Sequence, residues 1–286
     1  MHALSQPAAA PGDPTSFVYG GVAFDFAMAP GLPFELVPQH RQYIAPADAG
    51  PVALSVSVAV AAAPELAQVV ERDIHAHWDG STGSVSTRGA RAEIRQLAPR
   101  TFAASGLVSP DASGVSSLCT ALAGTLIDRI GGVVLHASGV ELDDGVYLFI
   151  GPSGAGKTTA ANHCEGARAF ARDRAAIYPT ASGWHVSPMS GGDEIHLPPS
   201  LHRTLPIRGV MRVLKTQTPS IQRSSALQAV RILRESAQMT DRSPAAEAQL
   251  LDRLFSVMEE VPVSTIHTTL GQPILPLLKA WKKVSP

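Results

Sequence analysis

The octapeptide GPSGAGKT, residues 151–158, constrains this chain more than any other stretch. It is a complete G-x-x-x-x-G-K-[ST] pattern. Gly151, Gly154 and Gly156 let the main chain turn so that successive N–H groups point inward and close on oxyanions. A helix beginning near Lys157 adds its positive end to that cradle. Lys157 then brings a point charge to the terminal phosphates, and Thr158 a hydroxyl suited to Mg²⁺. The pattern also arises by chance in glycine-rich chains, so its context decides. VYLFI, residues 146–150, is continuously apolar, as a strand buried on both faces should be, and residues 157–164 read as a helix. Strand, glycine turn and helix together predict a phosphate loop made by Gly151, Ser153, Gly154, Ala155, Gly156, Lys157, Thr158 and Thr159.

Composition narrows the partners. Only 16% of the 286 residues are charged, against ~25% in an ordinary globular chain. The 23 basic and 24 acidic residues nearly cancel, which leaves no electrostatic footprint for nucleic acid and no polybasic segment for an anionic membrane. The most apolar run, residues 52–64, is broken by Ser55 and Ser57 and is shorter than the ~20 residues of a membrane helix. Residues 1–14 lack the basic start and apolar segment of a signal peptide. Cys119 and Cys164, far apart and in no metal spacing, suit a reducing compartment. These features predict a cytoplasmic protein with no nucleic-acid and no membrane partner.

Along the chain, residues 1–15 are Ala/Pro-rich and read as a disordered lead-in. Residues 16–112 read as a β-rich accessory domain of unassigned role, with strands at 17–28, 52–60 and 84–97 and a short helix at 64–71. Within it, HAHWDG would place His75, His77 and Asp79 on one face of a strand. The triplet resembles the opening of the metallo-β-lactamase signature H-x-H-x-D-H, but Gly80 stands at the last histidine, and a half-buried strand with polar neighbours is the simpler reading. A helix capped by Ser113 or Ser116 follows, with an apolar stripe at Leu118, Leu122, Leu126 and Ile127, and stops at Gly131-Gly132. Strands at 133–142 and 146–150 flank the turn Asp143-Asp144-Gly145. Residues 168–177 alternate as a strand with Asp173 in its middle. Ser243-Pro244 opens a helix whose stripe is Leu250, Leu251, Leu254, Phe255, Val257 and Met258; a strand at 263–270 and a helix at 274–283 close the chain.

A phosphate loop needs an acidic partner on a neighbouring strand. The segment MSGGDE resembles transporter ATPases but falls too soon after the loop, and no N-K-x-D motif specifies guanine. The stretch VVLHASGVELDDGVYLFIGPSGAGKTTAA instead resembles the HPr kinase/phosphorylase family and its related serine kinases, whose core is shared with phosphoenolpyruvate carboxykinases. His136-Ala137-Ser138-Gly139-Val140 matches the family's H-A-S/G-x-V strand, and residues 151–159 its loop. Asp173, in ARDRAAI, falls on the second aspartate of the family's Asp-Asp pair, while Arg172 replaces the first. SPMSGGDEI resembles the Pro-x-x-Gly segment, and LPIRGVMRVLK the apolar-Pro-Leu-Arg strand, after which a Ser-capped helix over 224–239 is expected.

The resemblance covers roughly residue 118 to the C-terminus. It implies an α/β fold with an HPr-kinase/carboxykinase-like P-loop core over residues 113–286, ATP and Mg²⁺ as cofactors, and an oligomer. It implies phosphoryl transfer to a serine hydroxyl of a protein or peptide. Asp173 would take the hydroxyl proton or, with Thr158, bind the metal; His136 would bond that carboxylate or the γ-phosphate; Lys157 would bridge the phosphates. Read from the residues alone, Asp173 is equally a strand-edge aspartate and His136 a satisfied core histidine. Asp193 and Glu194 suit either metal binding or a solvated loop, and Arg208 either the triphosphate or a surface ion pair. Arg172 motivates an alternative, a nucleotide-binding regulatory module with little transfer activity. A small-molecule kinase of the same fold is the third reading.

Overall fold

The alternation of apolar with small polar residues in the first third of the chain produces one mixed sheet of eight strands. These are β1 (Thr15–Tyr19), β2 (Val22–Met28), β3 (Ala45–Pro46), β4 (Leu54–Ala62), β5 (His75–Asp79), β6 (Thr82–Thr87), β7 (Ala90–Ala98) and β8 (Thr101–Val108). They lie in the order β3-β1-β2-β4-β8-β7-β6-β5, with β2, β4 and β8 parallel. The computed structural model describes residues 15–34, 45–46, 52–69, 73–189, 204–269 and 271–284. Apart from Thr15, which belongs to β1, the expected lead-in lies outside the described residues, as do Asp193 and Glu194. The two broad strand expectations, 17–28 and 84–97, each resolve into a hairpin, and the short helix is a 3₁₀ turn at Pro64–Gln68.

A helix, α1 (Ala112–Arg129), follows. Its N-cap is Asp111 rather than Ser113 or Ser116: the Asp111 carboxylate accepts from the amides of Ser113 and Gly114. Ser113 cannot cap because its own hydroxyl also donates to that Asp111 oxygen, Oδ1. The helix is also buried far beyond the expected stripe, for every residue from Leu118 to Ile127 is buried. Such a helix sits between two layers rather than on a surface. Gly106 of β8 permits the contact, because a Cβ there would stand 2.7 Å from a Leu118 methyl.

The second sheet lies across α1. Its nine strands are β9 (Val133–Leu142), β10 (Gly145–Ile150), β11 (Arg168–Ala171), β12 (Arg174–Thr180), β13 (Gly183–Pro188), β14 (Leu205–Lys215), β15 (Ser220–Arg223), β16 (Ala237–Gln238) and β17 (Val263–Thr268). The remaining helices are α2 (Lys157–Asn162), α3 (Ala226–Ser236), α4 (Pro244–Glu260) and α5 (Leu275–Val284). Strands β10, β14 and β17 run parallel, and the other pairings are antiparallel. The protein is thus a mixed α/β structure with two mixed sheets and few helices. One apolar core runs unbroken from the first sheet through α1 to the second sheet, α3 and α4. A smaller core lies on the opposite face of the second sheet, beneath α2 and α5.

Several boundaries moved. The Ser-capped helix begins after Ser225, not Ser224, in a capping box with Gln228, and it stops at Ser236 because Ala237 and Gln238 pair with β9. Phe255 of α4 is half exposed, off the buried line Leu250, Leu254 and Val257. The strand expected over 168–177 is two strands, broken at Arg172-Asp173.

Because Leu122 is wholly buried between the sheets, Leu122→Ala should cost about 2–5 kcal/mol. A lowered urea midpoint would show this, with near- and far-ultraviolet signals still moving together.

Candidate functional site

Strand β10 has all six residues buried, and the chain leaves it at Ile150 into the glycine loop. Ile150 lies in register with Ala137 of β9 on one side and with Arg212 of β14 on the other. Gly154 (φ +76°) and Gly156 (φ +95°) occupy the left-handed region, which bends the loop back toward α2. Gly156 is itself the N-cap position of α2. Ser153 and Thr159 are exposed, and the Ala155 amide closes the loop on the Pro152 carbonyl at 3.1 Å.

Lys157 is buried inside this turn. Its ammonium donates to the carbonyls of Gly151 (2.9 Å) and Pro152 (3.2 Å). Burial pushes its pKa below the usual lysine value, and the negative charge of Asp173 opposes that shift. Thr158 is held from β9: its hydroxyl lies 3.2 Å from Ser138 Oγ, which donates to the Arg172 carbonyl at 2.7 Å. Since Ser138 has one proton and spends it on Arg172, Thr158 must donate to Ser138, which leaves the Thr158 lone pairs open to a cation.

The break between β11 and β12 places the acidic residue. The Asp173 carbonyl accepts from the Ala137 amide (2.9 Å) and meets His136 Nδ1 at 2.9 Å. A carbonyl only accepts, so Nδ1 carries the imidazole proton and Nε2 is left as an acceptor. The Asp173 carboxylate lies between the His136 ring and one guanidinium, with Oδ1 3.4 Å from His136 Nδ1 and Oδ2 3.7 Å from Arg174 Nε. Burial lowers the His136 pKa; Asp173 raises it, and Lys157 and Arg174 lower it further. Lys157, Asp173 and His136 therefore share one electrostatic environment. Beside them opens a cavity of about 570 Å³ whose wall includes His136, Arg174, Arg234 and, from the segment leading into β5, Asp73 and Ile74.

Other expected residues lie elsewhere. Arg172 is bonded at the far end of α2, where its guanidinium donates to Asn162 Oδ1 at 3.0 Å. Arg208 lies at the opposite end of β14 from the loop, donating to the Asp144 carbonyl at 2.7 Å. His75, His77 and Asp79 are exposed on β5, and no group of three His, Cys, Asp or Glu side chains suited to a metal occurs among the described residues. Sequence reasoning assigned no role to Ser138, which ties α2 to β9, although it quoted the H-A-S-x-V element containing it. It also missed Lys215, whose ammonium donates to the Gly154 carbonyl at 3.0 Å, and Arg212, level with the start of the loop. Neither carries a signal in the sequence; only the parallel register of β14 with β10 sets Arg212 level with Ile150 and carries the strand on to Lys215. Cys119 and Cys164 are free, buried thiols, and burial pushes Cys164 up to about 12.

No protein-family model matches this chain, and no curated protein matches it.

With its pKa lowered, His136 binds its proton less readily folded than unfolded, so its contribution to stability is lost as pH falls below about 6.5 through the folded value. Proton NMR of the His136 ring should show a midpoint below 6.5. Asp173→Asn, which removes the charge that raises it, should move that midpoint lower still.

Proposed function

We propose that the protein transfers the γ-phosphate of ATP to a serine hydroxyl of a protein or peptide, on an HPr-kinase-like P-loop core preceded by a β-rich accessory domain. The observation carrying this reading is the convergence on one strand end of a buried loop lysine, Lys157, the Thr158 hydroxyl and the paired Asp173 and His136. The resemblance of the 133–161 stretch to that family supports it. Among the described residues no helix is long and apolar enough to cross a membrane.

The residues present fit a triphosphate with Mg²⁺. A Cβ built on Gly154 meets nothing within 4 Å, so the loop tip stays open above Lys157. One hydroxyl and one carboxylate suit Mg²⁺, which takes most of its ligands from phosphate and water. When bound, the ion would neutralise charge on the phosphate oxygens. Lys157 would shift from the loop carbonyls to those oxygens. The acceptor hydroxyl would enter from the side of His136. Its proton would pass to Asp173, or to His136 Nε2 with Asp173 holding the ring, as the serine oxygen forms its bond to phosphorus and the bridging bond to ADP breaks. Such chemistry depends on alignment and charge neutralisation more than on covalent steps.

Two observations favour other readings. The cavity beside His136 falls within the size range of small-molecule sites, which suits a small hydroxylated acceptor. The replacement of the first family aspartate by Arg172, with its side chain on Asn162, suits a regulatory module. Incubation with γ-labelled ATP separates them by where label appears: on protein or peptide serine, on a small molecule, or nowhere.

Lys157→Ala should abolish transfer. Asp173→Asn should lower turnover by about 10²–10⁴-fold and leave nucleotide affinity within threefold or so. Unchanged turnover in Asp173→Asn would remove that residue from the reaction.

A further inference from the structure

A second cavity, of about 300 Å³, lies on the α3 face of the second sheet, where β14 and β17 end. Its floor is set by register. Arg212 of β14 pairs with Thr265 of β17, and Leu214 with His267, so these side chains share one face. Register puts Gln222 of β15 on this same face, Arg223 stands at the rim where β15 ends, and Ser224, just before α3, and Arg231, within it, complete the wall. Three arginines and a histidine thus line one small space. Glu235 is shared between Arg231 (2.8 Å) and Arg212 (3.4 Å) and neutralises one charge of the set. Arg223 and His267 have no side-chain hydrogen bond or ion pair among the described residues.

Two donors make this more than a basic surface. Arg212 Nε and Ser224 Oγ are buried without a hydrogen-bond partner. A buried donor left unpaired costs about 1–3 kcal/mol, and both belong to residues in the wall of this cavity, where a ligand rich in acceptor oxygens would satisfy them after a small shift of the two side chains. Guanidinium forks and a hydroxyl donor suit carboxylate and phosphate alike, and the surplus of positive charge favours the more highly charged phosphate.

We propose that this cavity is a second phosphate-binding site, which takes a phosphoryl group other than those held at the glycine loop. The loop and the cavity are tied through β14: Arg212 sits level with Ile150, and Lys215 donates to the Gly154 carbonyl. Occupation of the cavity would pair Arg212 and bear on the strand that supports the loop. The site follows from charge and register on β14, β17 and α3, and it stands whether or not the loop acts in serine phosphorylation.

Phosphate binding to the full chain tests this, by equilibrium dialysis with labelled inorganic phosphate in parallel with glycerol 2-phosphate. Wild type should bind two phosphate equivalents. Lys157→Ala should bind one, and so should wild type saturated with a non-hydrolysable ATP analogue, which covers the case of a poorly folded loop variant. R223A/R231A, which changes only exposed side chains, should lose the equivalent that survives ATP, with affinity at least about tenfold weaker. Tighter binding of the ester would mark a phosphorylated ligand, and tighter binding of the inorganic ion free phosphate; both support the site. The inference fails if the ATP analogue displaces all bound phosphate, or if R223A/R231A binds as wild type does.

Discussion

Strand β9 is the member on which both ends of the site hang. Along its second half it pairs with β10 on one edge and with β11 on the other; along its first half it pairs with β12 and β16. Between β11 and β12 the partner strand breaks, and the carbonyls of Arg172 and Asp173 are caught by the Ser138 hydroxyl and the Ala137 amide. That pair of hydrogen bonds puts the Asp173 carboxylate beside His136. The same strand also carries Ser138, which receives Thr158 from the start of α2. A shift of β9 by one residue would turn His136 and Ser138 to the other face and dismantle both contacts at once.

Burial explains why the strand keeps that register. Leu135 and Ala137 face the larger core, and Val140 faces the smaller one beneath α2 and α5. The sheet is packed on both faces, so a slipped strand would trade apolar contacts for buried polar groups on either side. The first sheet enters through the same core. Helix α1 is buried around its circumference because each sheet takes one side of it. The N-terminal strands also reach the larger cavity directly, since Asp73 binds Arg242 at 3.0 Å and the Ala76 amide donates to the Thr240 carbonyl. Whatever enters beside His136 therefore meets both layers of the molecule.

Charge is distributed unevenly about the loop. On the β9 side, the carboxylate of Asp173 meets the His136 ring and is balanced by Arg174 and Lys157. On the β14 side, cations outnumber carboxylates around the smaller cavity. This asymmetry arises from the two neighbours of β10 and not from the loop itself.

The sequence by itself determined the local units. Continuous apolarity made 146–150 a buried strand, the glycine spacing shaped the turn into α2, and Ser243-Pro244 began α4 where expected. Each depends on interactions within a few residues, which periodicity and capping chemistry report directly. Only the tertiary structure decided what lies between units. It showed that α1 is covered on all sides over residues 118–127, that the run over 168–177 breaks to aim Asp173, and that Arg172 bonds Asn162 and Arg208 the Asp144 carbonyl while Ser138, Lys215 and Arg212 adjoin the loop. Those outcomes rest on strand order and register across β9, β10 and β14, and pairings between residues tens of positions apart leave no periodic trace in the chain.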